Sequence, residues 1–79
     1  MNYKFFSDRY IIFEKNGKGK EYNKYNHTLL FEGEYLNGIR NGKGKEYYDG
    51  KLVFEGEYLN GRKWNGKGYN KNGDIKYMK

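Results

Sequence analysis

The chain contains no cysteine, so neither a disulfide nor a thiolate metal ligand is available to it. Proline, glutamine and alanine are missing as well. That skew, with its weight of asparagine, lysine and tyrosine, reads as the codon bias of an AT-rich genome and not as a functional trait. Histidine occurs once, as His27 between Asn26 and Thr28. One imidazole without convergent ligands or an orienting partner argues against a metal centre or a catalytic base. No run approaches the ~20 apolar residues of a membrane span. The opening residues, Met1-Asn2-Tyr3-Lys4-Phe5-Phe6, meet Ser7-Asp8-Arg9 before they reach signal-peptide length, and Met1 suggests a natural start.

What is present points to a thin but ordered core. With 79 residues there is room for one domain, 1–79, and no linker. Only about 60% of the unfolded chain's surface can be buried at this size. A mean hydropathy of −1.25 invites a disorder assignment, but an aromatic content of 20% opposes it, because disordered chains are poor in rings. Ten tyrosines and five phenylalanines, each able to bury roughly 150–250 Å², carry much of the apolar burial. The formal net charge is +6. Its lysines are dispersed, which suits solubility and the guarding of exposed strands. The sharper alternative is attraction to an acidic partner.

The organising feature is internal repetition. Phe31-Glu32-Gly33-Glu34-Tyr35-Leu36-Asn37-Gly38 recurs letter for letter as Phe54 to Gly61. Asn16-Gly17-Lys18-Gly19-Lys20-Glu21-Tyr22 recurs at Asn41 to Tyr47, and in shortened form at Asn65-Gly66-Lys67-Gly68-Tyr69. Phe31, Phe54 and Tyr77 stand 23 residues apart. Such a period marks an array whose neighbouring units bury each other's apolar surface. Each unit alternates with the period of two of a strand, and Asn37-Gly38, Asp49-Gly50 and Asn60-Gly61 are hairpin turn signals.

Charge argues the register. A three-residue loop, Asp49-Gly50-Lys51, sets Lys43 opposite Glu57, Lys45 opposite Glu55 and Gly44 opposite Gly56, where a two-residue loop sets Lys45 against Phe54. Only the first matches opposite charges, each couple contributing about 0.2–1 kcal/mol. The same logic sets Lys18 opposite Glu34, Lys20 opposite Glu32 and Gly19 opposite Gly33. One face then carries Gly42, Gly44, Tyr48, Leu52, Phe54, Gly56 and Tyr58. The other carries Lys43, Lys45, Tyr47, Val53, Glu55, Glu57 and Leu59 in a salt-bridged lattice. Glu46 falls awkwardly on the ring-and-glycine face and is assigned to its rim. The expected fold is all-β: a single-layer, twisted antiparallel meander of about three hairpin repeats, with an aromatic groove on one side.

Phe31-Glu32-Gly33-Glu34-Tyr35 with Asn37-Gly38 and Gly42-Lys43-Gly44 resembles the MORN repeat, a unit of about 23 residues. Phe54-Glu55-Gly56-Glu57-Tyr58 with Asn60-Gly61 and Gly66-Lys67-Gly68 fits apart from one inserted residue at Trp64. The clear match covers 16–68; residues 1–15 look like a degenerate repeat or cap, and 69–79 like an incomplete repeat. The resemblance implies a non-catalytic scaffold that assembles protein complexes, often at membranes or cytoskeletal structures, sometimes as a dimer, with phospholipid binding as an older proposal. An intracellular, cytoplasmic location is the matching expectation.

Candidate contacts follow. Phe31, Tyr35, Phe54, Tyr58 and Trp64 are core residues, partner contacts, or both. Arg40, Lys43, Lys45 and Arg62 are the candidates for anionic headgroups or an acidic partner. A nucleic-acid platform also joins rings to cations, but here lysines share their face with glutamates, which disfavours it. No cofactor, metal or small-molecule substrate is expected. Gly17-Lys18-Gly19 opens a strand and not the helix that a phosphate loop needs. Glu32/Glu34 and Glu55/Glu57 are ion-pair partners and not an acid/base pair. Met78 and Lys79 are too few to cover Gly66-Lys67-Gly68, so a homodimer mate or an added partner strand is expected to complete that edge.

Overall fold

A computed structural model describes residues 3–79; Met1 and Asn2, part of the expected 1–15 cap, lie outside the described residues. Eight strands succeed one another in chain order across one open, twisted antiparallel sheet. They are β1 (Tyr3–Phe5), β2 (Arg9–Phe13), β3 (Lys18–Asn23), β4 (Leu29–Leu36), β5 (Ile39–Tyr48), β6 (Lys51–Leu59), β7 (Arg62–Tyr69) and β8 (Ile75–Met78). The only helical geometry among the described residues is a 3₁₀ turn at Lys15–Gly17. The all-β single-layer meander is therefore the fold.

Short turns produce it. Asn37/Gly38, Asp49/Gly50 and Asn60/Gly61 all have positive φ, between 52° and 84°. Two consecutive positive values are what a type I′ turn requires, and its twist matches that of the strands it joins. The longer β3–β4 connection is closed by Asn23, whose Oδ1 accepts from the Tyr25 and Asn26 amides at 2.8 and 3.1 Å.

The central register agrees with the charge argument. Lys18 faces Glu34, Gly19 faces Gly33 and Lys20 faces Glu32 across β3–β4. Lys43 faces Glu57, Gly44 faces Gly56 and Lys45 faces Glu55 across β5–β6. The turn that achieves this differs from expectation. Tyr48 pairs with Lys51, leaving a two-residue turn at Asp49-Gly50, and a bulge beyond Glu46–Phe54 then sets Tyr47 opposite Leu52. A two-residue I′ turn is geometrically favoured, and the bulge restores the phase that the charges demand. Leu52 consequently pairs with Tyr47, and not with the ring-and-glycine set.

Glycines form an unbroken row from β3 to β7, Gly19, Gly33, Gly44, Gly56 and Gly66, each directly opposite the next. Rings lie over this row. A Cβ on Gly44 would sit 2.5 Å from Phe31 Cζ, and one on Gly19 would sit 2.8 Å from Tyr35 Cε1. The rings also contact each other in one zigzag, Phe13, Tyr35, Phe31, Tyr58, Phe54, Tyr77, with centroids 5.1–6.4 Å apart. The first four contacts are edge-to-face, the arrangement that the ring quadrupole favours. Ile11, Phe31, Tyr35, Phe54 and Tyr58 are the buried core.

Trp64 shifts the second repeat. Gly33 pairs with Gly44, the second glycine of its Gly-Lys-Gly, whereas Gly56 pairs with Gly66, the first. The residue inserted at Trp64 moves the glycines one place further from the turn. The β7 bulge holds one extra residue where the β5 bulge opposite Glu34 holds two, so Phe54 faces Gly68 where Phe31 faces Glu46. The far edge is also corrected. Met78 pairs with Lys67, Tyr77 with Gly68, and Lys79 exchanges backbone hydrogen bonds with Gly66 at 2.9 and 3.2 Å. The final strand thus covers Gly66-Lys67-Gly68 after all, because Ile75 begins pairing at Tyr69 directly after a tight Asn70–Asp74 turn.

Gly44→Ala is expected to destabilise the sheet by about 1–3 kcal/mol, the range for forced overpacking. Urea unfolding followed by circular dichroism would show this as a lower midpoint; an unchanged midpoint would mean that the ring does not rest on Gly44.

Candidate functional site

The two faces carry different electrostatics. On the face away from the rings, the residues flanking the glycines form two rows of alternating charge. Lys20, Glu32, Lys45, Glu55 and Lys67 succeed one another on β3 to β7 as direct cross-strand neighbours. Lys18 and Glu34, then Lys43 and Glu57, form the second row. These side chains, with Glu14, wall an open groove of about 580 Å³ whose floor includes the glycine backbone. Its five lysines and five glutamates cancel, so the groove is electroneutral.

The expected lattice of closed salt bridges is not there. Among the described residues, none of these facing couples is a contact ion pair. Lys20 reaches Glu14 at 3.6 Å instead of Glu32. Tyr47 and Tyr69 donate their hydroxyls to Glu32 and Glu55, and Lys43 N–H donates to Glu34 Oε1 at 2.6 Å. In water an exposed pair gains little by closing, since side-chain entropy and screening offset the attraction. Burial and the bond to Glu32 push the Tyr47 hydroxyl up to about 12.

The ion pairs with a buried or half-buried carboxylate lie on the ring face. Glu21, the buried charged residue, accepts from Tyr35 Oη at 2.7 Å, Arg40 Nε at 2.7 Å, Arg40 Nη2 at 2.8 Å and Arg9 Nη1 at 3.0 Å. Glu46 accepts from Tyr58 Oη at 2.6 Å and Arg40 Nη1 at 3.1 Å, and Lys63 Nζ stands 3.8 Å away. The result is an alternating ladder, Arg9–Glu21–Arg40–Glu46–Lys63. Arg40 also stacks 4.1 Å above the Phe31 ring centroid, and Lys63 lies 4.6 Å above that of Phe54. Burial works to raise the Glu21 pKa, but its bonds from Arg40, Tyr35 and Arg9 and the Arg40 charge outweigh it, leaving the carboxyl below its ordinary range. Burial, then the bonded glutamates, push Tyr35 and Tyr58 well above the ordinary tyrosine value.

The expected contact residues separate accordingly. Phe31 and Phe54 have no exposed surface, and Tyr35 and Tyr58 are buried with their hydroxyls committed to glutamates. Trp64 is 63% exposed on its bulge, the one member of that set presented to solvent. Of the four expected headgroup contacts, Arg40 is corrected: all three of its guanidinium nitrogens are bonded to Glu21 and Glu46, which neutralise it, and its side chain is mostly buried. Lys43 and Lys45 line the groove opposite Glu57 and Glu55, and Arg62 is exposed beside the Asn60-Gly61 turn. Glu46, placed at the rim from the sequence, sits inside the ladder.

The sequence does not single out Glu21, and it puts Glu46 on the ring face without its partners, although both end a Gly-Lys-Gly-Lys-Glu. Carrying the register one hairpin further would have set Arg40 opposite Tyr35 and Lys63 opposite Tyr58, as observed. His27 Nδ1 lies 3.0 Å from Tyr10 Oη in an exposed loop. No group of three or more His, Asp or Glu side chains among the described residues is placed to hold a metal. Among the described residues no helix is long and apolar enough to cross a membrane. No family model, curated protein or solved structure matches this chain.

Glu21→Gln is expected to cost about 3–5 kcal/mol, the range for removing one partner of a buried ion pair, whereas Lys45→Ala in the groove should stay within about 0.5 kcal/mol. Equal effects in chemical denaturation would contradict the assignment of the closed pairs to the ring face.

The ladder also sets a pH profile. The lowered Glu21 pKa contributes stability that is present above the ordinary value of 4.5 and is lost as pH falls through the folded value. The raised Tyr35 and Tyr58 values contribute stability that is full below 10.0 and is lost as pH climbs toward the folded values. Unfolding midpoints should therefore drop on both sides of that window. Tyr58→Phe should flatten the alkaline limb, and a limb unchanged in that variant would refute the tyrosine contribution.

Proposed function

We propose that this chain is a non-catalytic, intracellular MORN-type module that holds a protein partner along its Lys/Glu groove, with Trp64 and the exposed final strand as flanking contacts. The observation that carries this reading is the groove itself: an open trough of about 580 Å³ between two rows of facing but unclosed charges. Side chains already extended across an electroneutral surface can re-pair with a partner's charges at little cost in desolvation. Such complementarity confers orientation and specificity more than raw affinity. The ring face is less suited to the role, because its aromatics fill the space over the glycine row. Its polar groups are bonded to one another.

Anionic lipid is the competing occupant. It receives support from the net charge of +6, but the excess cations lie outside the groove, at dispersed positions such as Lys24, Lys51, Arg62 and Lys71. Two partners for the exposed strand stay in view: a second copy of the chain, and an added strand.

The test is cross-linking capture with the whole chain, comparing Lys20→Glu/Lys45→Glu with Lys51→Glu, a charge reversal of the same kind in a turn. Loss of a captured species in the groove variant alone, with unchanged circular dichroism, is expected. Loss in neither variant would sink the groove as the contact surface. Flotation with anionic vesicles across a salt series should show no groove-dependent binding. Retention that falls steeply as the Debye length shrinks toward ~3 Å at 1 M salt would favour lipid instead.

A further inference from the structure

Two turns of identical sequence differ in their tertiary surroundings. Leu36-Asn37-Gly38 and Leu59-Asn60-Gly61 close their hairpins with nearly equal angles, φ 53° and 78° in the first and 52° and 84° in the second. In the second turn the Gly61 N–H donates to the Arg40 carbonyl at 2.9 Å. The Asn60 N–H also lies 3.3 Å from Asn41 Oδ1, and Ile39 Cγ2 packs 3.1 Å from where a Gly61 side chain would begin. In the first turn, nothing lies within 4 Å of the corresponding point on Gly38, and among the described residues its N–H has no such bond.

Most other Asn-Gly pairs are also restrained. Gly66 N–H donates to the Lys79 carbonyl and Gly73 N–H to that of Asn70. Gly42 lies in the β5 bulge against the Glu34 carboxylate, and Asn16-Gly17 lies in the 3₁₀ turn.

We propose that Asn37 is a site of spontaneous covalent modification, converting to an aspartyl or isoaspartyl residue ahead of its twin Asn60. The Gly38 amide nitrogen loses its proton to solvent base and attacks Asn37 Cγ. A new C–N bond forms, the bond from Cγ to the side-chain nitrogen breaks, and that nitrogen leaves as ammonia after taking up a proton. The product is a five-membered succinimide. Water then adds at either carbonyl, opening the ring to aspartate or isoaspartate; nothing is oxidised or reduced, and water is the only co-reactant.

Attack requires the glycine nitrogen to swing toward the preceding side chain, so the turn must first leave its native angles. Gly38 N–H can do so freely, whereas Gly61 N–H must first give up its bond to Arg40. The aspartyl product suits the turn, since Asp49-Gly50 adopts the same geometry with φ 52° and 79°. The isoaspartyl product adds a backbone carbon and disrupts the Leu36–Ile39 register. Either one introduces a carboxylate beside the hollow of about 530 Å³ whose charged lining is Lys4, Asp8, Arg9, Glu21 and Arg40.

The test is incubation of the full chain at mildly alkaline pH, followed by peptide mapping. Mass spectrometry quantifies the exchange of amide for hydroxyl at positions 37 and 60, and chromatography separates aspartyl from isoaspartyl forms. In the folded protein, position 37 is expected to convert about three- to tenfold faster, the factor that one net hydrogen bond supplies. In denaturant the two rates should converge. Equal folded rates, faster loss at Asn60, or a difference that persists on unfolding would each overturn the proposal.

Discussion

Close approach of aromatic rings to a row of glycines is the constraint from which the rest of this sheet follows. A single layer has no second sheet or helix to bury its apolar surface against. Here the rings lie down on the sheet itself, occupying volume that side chains on Gly19, Gly33, Gly44 and Gly66 would have taken, while the β7 backbone closes against Gly56. Glycine within a strand is normally destabilising. That cost is offset by edge-to-face contacts that run from Phe13 to Phe54 and bind each hairpin to the next.

The same arrangement explains why charge is divided between the faces. Tyrosine hydroxyls brought under the ring layer need acceptors, since an unsatisfied buried polar group is costly. Glu21 and Glu46 accept from Tyr35 and Tyr58, and Arg9, Arg40 and Lys63 compensate the carboxylates. No buried side-chain nitrogen or oxygen among the described residues lacks a partner. On the opposite face nothing covers the lysines and glutamates, so they stay hydrated and open.

Those two electrostatic regimes separate stability from the proposed recognition. The ladder is closed, partly desolvated and saturated, and its members are held by one another. The groove is open and neutral, and its facing lysines and glutamates are not closed on one another. A surface of that kind can change its pairing without disturbing the fold, which is why the proposed partner contact belongs there and not on the rings.

The local elements were determined by sequence alone: the strands by two-residue alternation, the turns by Asn-Gly and Asp-Gly, and the central register by lysine facing glutamate. Each depends on neighbours in the chain or on one cross-strand pair, and the exact repetition of Phe31 to Gly38 shows that relationship twice. Tertiary structure decided what depends on several strands at once. The bulge beside the Asp49-Gly50 turn, the shift of Gly56 onto Gly66, and the pairing of β8 along β7 each reconcile competing local preferences. Arg40 reads as a surface cation in the sequence and becomes the centre of a buried ladder only because Glu21, nineteen residues earlier, arrives from another hairpin. Which charges close into pairs is set by how much water the assembled sheet excludes around them.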